Sequence, residues 1–347
     1  MSRETRTLDP DAAAELISLY YEKGWTDGLP VVPPSEISVK KMLDAVELNG
    51  DEVIGEVQVR NTRITSKTVA INAVMAGCLP EYMPVILSAV KGLCHPDFGY
   101  HGFATSTGGA FVAVIINGPI AESLGINARD NAFGPGCRPN MTIGRSLRLL
   151  MMNAINTRPG KLDRSTLGNP GKIAFCFAEN EKISPWEPLH VERGYAAEQS
   201  TTTLFAAEAV IQTYNQLSST PGPLLTGMAD AMANMGSMNI ISRQQMVVVL
   251  GAEHTEVLRD SGWSKQEVKA FLYANAKRSI AALKGAGRLP GAVAKGDASQ
   301  WQHPVQEADD IILVCAGGAV GCFSACLPGW GGSRKGTQSV TTPIVIS

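Results

Sequence analysis

The sequence has few charged residues and no strong excess of either sign. Asp, Glu, Lys and Arg make up 18% of its 347 residues, against about 25% in an average domain. The 30 basic residues face 32 acidic ones, which leaves a formal charge of −2. Without a basic field we expect no nucleic-acid partner. So little charge also indicates that much surface is buried in a large core or between subunits, and we predict a homo-oligomer.

Long apolar runs and a targeting segment are also missing. Residues 1–10 are polar and carry both charge signs, and no run approaches the 18–20 apolar residues that span a bilayer. Seven cysteines are an odd number in a chain too long to need disulfide staples, which predicts reduced thiols. We therefore expect a cytoplasmic protein without a membrane partner.

The motifs of several common enzyme classes are absent. The sequence contains no P-loop, no dinucleotide fingerprint, no helix-spaced His pair and no Gly-x-Ser-x-Gly elbow. No nucleotide cofactor is implied, and serine hydrolysis of the usual α/β kind is disfavoured. A divalent transition metal stays open as a cofactor, because scattered Glu and His residues could assemble a site.

A strand–helix–strand pattern is the clearest feature that is present. Residues 246–250 and 310–315 are continuous apolar runs. Between them, residues 264–284 read as a helix that begins with a Ser264–Glu267 capping box. Continuous apolar strands joined by helices indicate a parallel sheet that is covered on both faces. We predict an α/β fold with two lobes, an N-terminal domain of residues 1–200 and a C-terminal domain of residues 201–347. We find no internal repeat.

The first candidate site is the beginning of a helix predicted over residues 140–156. Cys137 and Arg138 precede it, and a thiol beside a cation at a helix N-terminus is a candidate nucleophile. Thr142, Arg145 and Arg148 follow. Arg138 and Arg145 are two helical turns apart and could share one face with an anion between them. The alternative is a buried thiol with arginines at the surface.

The second candidate is the pair Glu179 and Glu181, which follows a strand predicted over residues 172–178. Alternate residues of an extended chain point to the same side, so the two carboxyl groups could converge as an acid and a base. His190, and His101 from another loop, could complete a catalytic or metal site. The alternative is a solvated strand end with a satisfied histidine.

Two glycine-rich loops and one histidine complete the candidates. His254 follows one apolar strand, and Gly317 and Gly318 follow the other, where ligands bind in open parallel sheets. Glycine amides could face an anion there. Thr105 and Thr107 precede Gly108-Gly109 and could form a second anion-binding loop. The alternative for each loop is a tight turn.

Several segments resemble the bacterial UGSC-like family, which is associated with selenoproteins. They are residues 28–34 (GLPVVPP), 142–149 (TIGRSLRL), 168–172 (GNPGK), 184–188 (SPWEP), 262–265 (GWSK) and 328–330 (PGW). The family is named after a selenocysteine or cysteine followed by Gly-Ser-Cys, which this sequence lacks. A thiol or selenol redox role would thus need a separate partner that carries the motif. The resemblance favours residues 142–148 as an anion-binding helix, and Glu179, Glu181 and His190 as site residues.

These observations predict an enzyme that cleaves or rearranges a small anionic substrate between the two lobes, by hydrolase or lyase chemistry with acid/base catalysis. One alternative is a thiol oxidoreductase, or a partner subunit of such a system, that uses Cys137 or the pair Cys322 and Cys326. Another is a subunit whose loops only bind or scaffold.

Overall fold

A computed structural model describes residues 10–331 and 337–346. It combines helices with mixed sheets, so the predicted α/β class is confirmed. The strands are β1 (Val53–Val57), β2 (Thr62–Thr65), β3 (Phe111–Asn117), β4 (Cys176–Ala178), β5 (Thr201–Ala207), β6 (Ile211–Tyr214), β7 (Met246–Leu250), β8 (Arg278–Ser279), β9 (Trp301–Gln302), β10 (Ile311–Cys315), β11 (Phe323–Pro328) and β12 (Val340–Pro343). The helices are α1 (Pro10–Glu22), α2 (Glu36–Asp44), α3 (Ser66–Ala76), α4 (Met83–Cys94), α5 (Tyr100–Ala104), α6 (Ile120–Ser123), α7 (Arg138–Asn153), α8 (Leu189–Glu192), α9 (Pro221–Met232), α10 (Asn239–Ser242), α11 (Ala252–Asp260), α12 (Lys265–Asn275) and α13 (Ile280–Gly285).

Two four-stranded sheets form the centre of the fold. The first has the order β12-β5-β3-β4 and the second β10-β7-β11-β6. In each sheet one pair is parallel, β3 with β4 and β7 with β10, and the other neighbours are antiparallel. The parallel pairing predicted from the two apolar runs of the last third is therefore confirmed.

The sheets pack face to face, and helices cover their outer faces. Phe111, Ala113 and Ile115 of β3 contact the cluster that contains Val247 and Val249 of β7. The alternate residues of β3 point to the other side, into a cluster with α3, α4 and α7, because side chains of a strand alternate between faces. Helices α9, α11, α12 and α13 cover the second sheet in the same way. The result is four layers, with helices outside and two sheets inside.

The two sheets are built on the same topology and the same register. Ile115 of β3 pairs with Phe177 and Thr203, and Val249 of β7 pairs with Val314 and Ala325. The fourth strand of each sheet is exchanged: β6 follows β5 but pairs with β11, and β12 follows β11 but pairs with β5. The fold therefore contains an internal structural repeat, for which we found no signal in the sequence.

Because of this exchange, the boundary between residues 200 and 201 does not separate the two sheets. Strand β5 begins at Thr201 and pairs with β3, and the last strand of the chain completes the first sheet. The helix predicted over residues 264–284 also differs. It begins with the Ser264–Glu267 capping box but ends at Asn275, because β8 then pairs with β9 and Ser279 caps α13.

Within the described ranges, no helix has the length and apolar character that crossing a membrane requires.

Candidate functional site

Two carboxyl groups and an amide meet where β3 and β4 end. Asn117 is the last residue of β3, and Glu179 and Glu181 follow β4. Because the two strands are parallel, their carboxyl ends lie at the same edge of the sheet. Asn117 Nδ2 donates to Glu179 Oε2 at 2.6 Å and to Glu181 Oε1 at 3.0 Å, and the Gly118 amide donates to Glu181 Oε1 at 2.8 Å. One amide thus bridges two carboxyl groups.

Glu179 is an acid near neutral pH. Its side chain is buried, and this burial raises its pKa to about 7, against hydrogen bonds and a lysine that lower it. Oε2 also accepts from the Leu189 amide at 2.9 Å. Oε1 has no hydrogen-bond partner among the described residues, so it is the oxygen left to carry the proton.

His190 of α8 lies beside the carboxyl pair. Its Nε2 donates to Ala197 O at 3.4 Å, which leaves Nδ1 facing the carboxyl pair. That Nδ1 is buried 3.8 Å from Glu181 Oε1. It has no hydrogen-bond partner in the described part of the chain, and neither does Asn117 Oδ1. Buried polar atoms are nearly always hydrogen-bonded, so these two atoms are available to a further hydrogen-bond partner.

The carboxyl pair opens onto a cavity of about 950 Å³. Cys137, which immediately precedes α7, lines the same cavity, and its thiol donates to Gly125 O at 3.4 Å. Lys182 also lines the cavity but pairs with Glu122 at 2.8 Å. Arg129 is exposed there and has no ion-pair partner among residues 10–331 and 337–346. The cavity therefore offers acid, thiol and cation chemistry.

The arginines of α7 bind protein groups instead of a cavity ligand. Arg145 makes two hydrogen bonds of 2.8 Å to Asp27 and also donates to the carbonyls of Leu29 and Pro30. These partners belong to, or immediately precede, the GLPVVPP segment. Arg145 thus fastens that segment to α7.

The other polar residues of this helix also have protein partners. Arg138 donates through Nε and Nη2 to Gly77 O, and Thr142 donates to Arg138 O. Arg148 lies 3.5 Å from buried Asp163, which also pairs with Lys172 at 2.9 Å. Because each of these groups binds a partner within the protein, they do not enter our proposal below.

His101 and the two threonines lie elsewhere. His101 and Thr107 line a separate cavity of about 1020 Å³, whereas the Thr105 hydroxyl donates to His101 O at 2.8 Å. His254 is buried and uses both ring nitrogens, Nε2 to Asn215 O at 3.0 Å and Nδ1 with Ser324 Oγ at 2.7 Å. Burial lowers its pKa. His254 is therefore a core histidine whose two ring nitrogens both have hydrogen-bond partners.

A carboxylate lies against the second glycine-rich loop. Gly317 has a φ of +121° and donates its amide to Ala128 O at 2.9 Å. A Cβ atom at Gly318 would overlap with Asp130 Oδ1. The carboxyl group of Asp130 therefore lies against Gly318, where an anion was predicted.

The remaining thiols are free but poorly suited to redox pairing. All seven cysteines are unpaired. The Cys322 thiol donates to Glu253 at 2.9 Å, which raises its pKa, and burial raises the pKa of Cys326 to about 12. No group of three or more His, Cys, Asp and Glu side chains within the described ranges could hold a metal ion.

Asn117 is the site residue that sequence reasoning missed. It is the first polar residue after the apolar run at 110–116, in the position where parallel strands present ligand-binding groups. Comparisons of the chain with family models, with curated proteins and with solved structures gave no match.

Proposed function

We propose that this protein is an enzyme that carries out hydrolase or lyase chemistry on a small molecule by acid/base catalysis. One observation carries the proposal: a buried carboxyl group with a pKa of about 7, Glu179, shares the amide of Asn117 with a second carboxyl group at the mouth of a large cavity. Two carboxyl groups in unlike environments can divide the roles of acid and base.

We assign the roles of acid and base from the different surroundings of Glu179 and Glu181. Glu179 holds a proton near neutral pH and gives it from Oε1 to the leaving group. Glu181 is 29% exposed at its side chain and takes a proton from water or from a substrate carbon. The cycle is complete when Glu181 releases its proton to solvent and Glu179 takes up a proton from solvent. Asn117 and His190 are positioning residues, since they hold or adjoin Glu181.

Arg129 is the group that supports an anionic substrate. The other cation of the cavity, Lys182, already forms an ion pair with Glu122. An anionic group at Arg129 would place the rest of a small substrate in the cavity that Glu179 and Glu181 line. We also propose that the protein forms a homo-oligomer in the cytoplasm. Its resemblance to the UGSC-like family, and a separate partner that carries the family's motif, belong to the same proposal.

A thiol oxidoreductase is the second candidate. Cys137 favours it, because its thiol lines the same cavity as the carboxyl pair. In that case the substrate would react at sulfur, and Glu179 would only transfer a proton.

Matched variants distinguish the two candidates. Products formed from small anionic esters, amides and hydroxy acids are followed by NMR for the wild type, Glu179→Gln, Cys137→Ser and Glu122→Gln. We expect Glu179→Gln to lose about 10²–10⁴-fold in kcat, whereas Glu122→Gln, on the same cavity, keeps it. Full activity of Glu179→Gln, or loss only in Cys137→Ser, would contradict the acid/base role. A ¹³C NMR titration of labelled Glu carboxyls needs no substrate. It should show a midpoint near pH 7 that Glu179→Gln removes.

A further inference from the structure

The second sheet has a cavity at the strand ends that correspond to the acid/base site. The matched registers make Asn117 equivalent to Gly251, Glu179 to Ala316 and Glu181 to Gly318. The backbone agrees, because the amide after each edge strand donates at 3.0 Å to the neighbouring parallel strand. The C-terminal half therefore keeps the architecture of a strand-end site but has none of its carboxyl groups.

We infer that this cavity is a second ligand site and that it takes an uncharged, mainly apolar small molecule. Its volume is about 270 Å³, close to the lower limit of small-molecule pockets. The larger side chains of its walls are apolar: Phe133, Val210, Val249, Val320 and Phe323. The polar side chains among the described lining residues are amides and a hydroxyl, and none of these residues is charged.

The mouth of the cavity exposes apolar surface. Val320 is 81% exposed and Phe323 is 46% exposed, while Val249 and Ala325 are buried between the sheets. A ligand that contacts Val320 and Phe323 would cover exposed apolar surface, and burial of apolar surface stabilises binding. Outside the cavity, the Phe323 ring also contacts Tyr214, whose ring centroid is 5.0 Å away.

Two carboxylates disfavour an anion at this site. Asp130 lies against Gly318, and Glu253 accepts the amide of Gly321 at 3.0 Å. Both glycines line the cavity, so two carboxyl groups of the protein itself lie beside this loop. A bound anion would be repelled and would lose its hydration.

The test uses three ligands of one shape and different charge: naphthalene-2-carboxamide, naphthalene-2-carboxylate and naphthalene-2-carboxamidine. Binding to the full chain is measured by calorimetry and by saturation-transfer NMR. We expect the neutral carboxamide to bind one site at least about tenfold more tightly than either charged probe. Equal or tighter binding of the carboxylate would identify an anion loop, and tighter binding of the amidine a cation site. Either result, or no binding of the carboxamide, overturns the inference.

A matched pair of variants locates the binding. Phe323→Ala and Tyr214→Ala remove the same aromatic contact, but only Phe323 lines the cavity. We expect Phe323→Ala to weaken carboxamide binding by about tenfold and Tyr214→Ala to leave it within about twofold. Equal weakening in both variants, or none in Phe323→Ala, would show that the carboxamide binds elsewhere. Catalysis at Glu179 plays no part in this readout.

Discussion

Replacing Glu179 by Gln should make the protein more stable at neutral and alkaline pH. The ionised carboxyl is buried, and this burial raises its pKa from 4.5 to about 7. A raised carboxyl pKa means that the folded state holds a proton that the unfolded state has released. The free energy of unfolding therefore falls as pH rises from about 4.5 to about 7 and then stays level. Gln keeps an oxygen for the amides of Asn117 and Leu189 but does not titrate.

The magnitude follows from the two pKa values. One pKa unit corresponds to about 1.4 kcal/mol, so this carboxyl costs about 3 kcal/mol above pH 7 and nothing below pH 4. The group is nearly inaccessible to solvent, so screening by water takes little from this figure. The difference in unfolding free energy between Glu179→Gln and the wild type should grow from near zero at pH 4.5 to about 3 kcal/mol at pH 8.

Urea unfolding at half-unit steps from pH 4.5 to 8, followed by the fluorescence of the five tryptophans, measures this difference. Glu122→Gln is the control, because its carboxyl lines the same cavity but is exposed and its pKa is lowered by Lys182. The control curve should run parallel to that of the wild type between pH 6 and 8. A stability difference for Glu179→Gln that is flat with pH, or that favours the wild type at pH 8, would refute the buried-acid interpretation.

Two further predictions concern how the fold is held. Arg145→Ala leaves buried Asp27 without its partner and should cost about 3–5 kcal/mol of unfolding free energy, whereas Arg138→Ala, which loses bonds to one carbonyl only, should cost less in the same urea experiment. Removal of residues 340–347 takes β12 from β5 and leaves the Ser88 and Thr202 hydroxyls without Thr342, so it should lower stability by more than about 2 kcal/mol. Removal of residues 346–347 alone should change it little, and equal losses would argue against the strand exchange.

Local patterns predicted the elements that depend on local forces. The apolar runs at 246–250 and 310–315 form β7 and β10, since continuous apolar strands need cover on both faces. Ser264 and Glu267 form the capping box because both partners lie within one turn. The convergence of Glu179 and Glu181 could be predicted from their spacing of two along an extended chain.

Long-range pairing could not be read from such patterns. Arg138 and Arg145 share a helix face, but the sequence does not show that Asp27, 118 residues away, neutralises Arg145. The exchange of β6 and β12 was hidden for the same reason, because each strand pairs with the opposite half of the chain. Asn117 ends an apolar strand, and only the parallel register with β4 shows that it meets Glu179.

The repeat places a pair of carboxyl groups at the strand ends of one half and none at the equivalent positions of the other half. The two strand-end loops bind each other: the Asn180 amide donates to Cys315 O at 2.7 Å, and the Gly317 amide donates to Ala128 O at 2.9 Å. Strand β10 therefore ends beside the loop that carries Glu179 and Glu181. A carboxyl in place of Ala316, the equivalent of Glu179, would bring a further charge to this contact between the two halves. Packing of the two halves against each other thus contributes to the burial that raises the pKa of Glu179, on which the proposed catalysis depends.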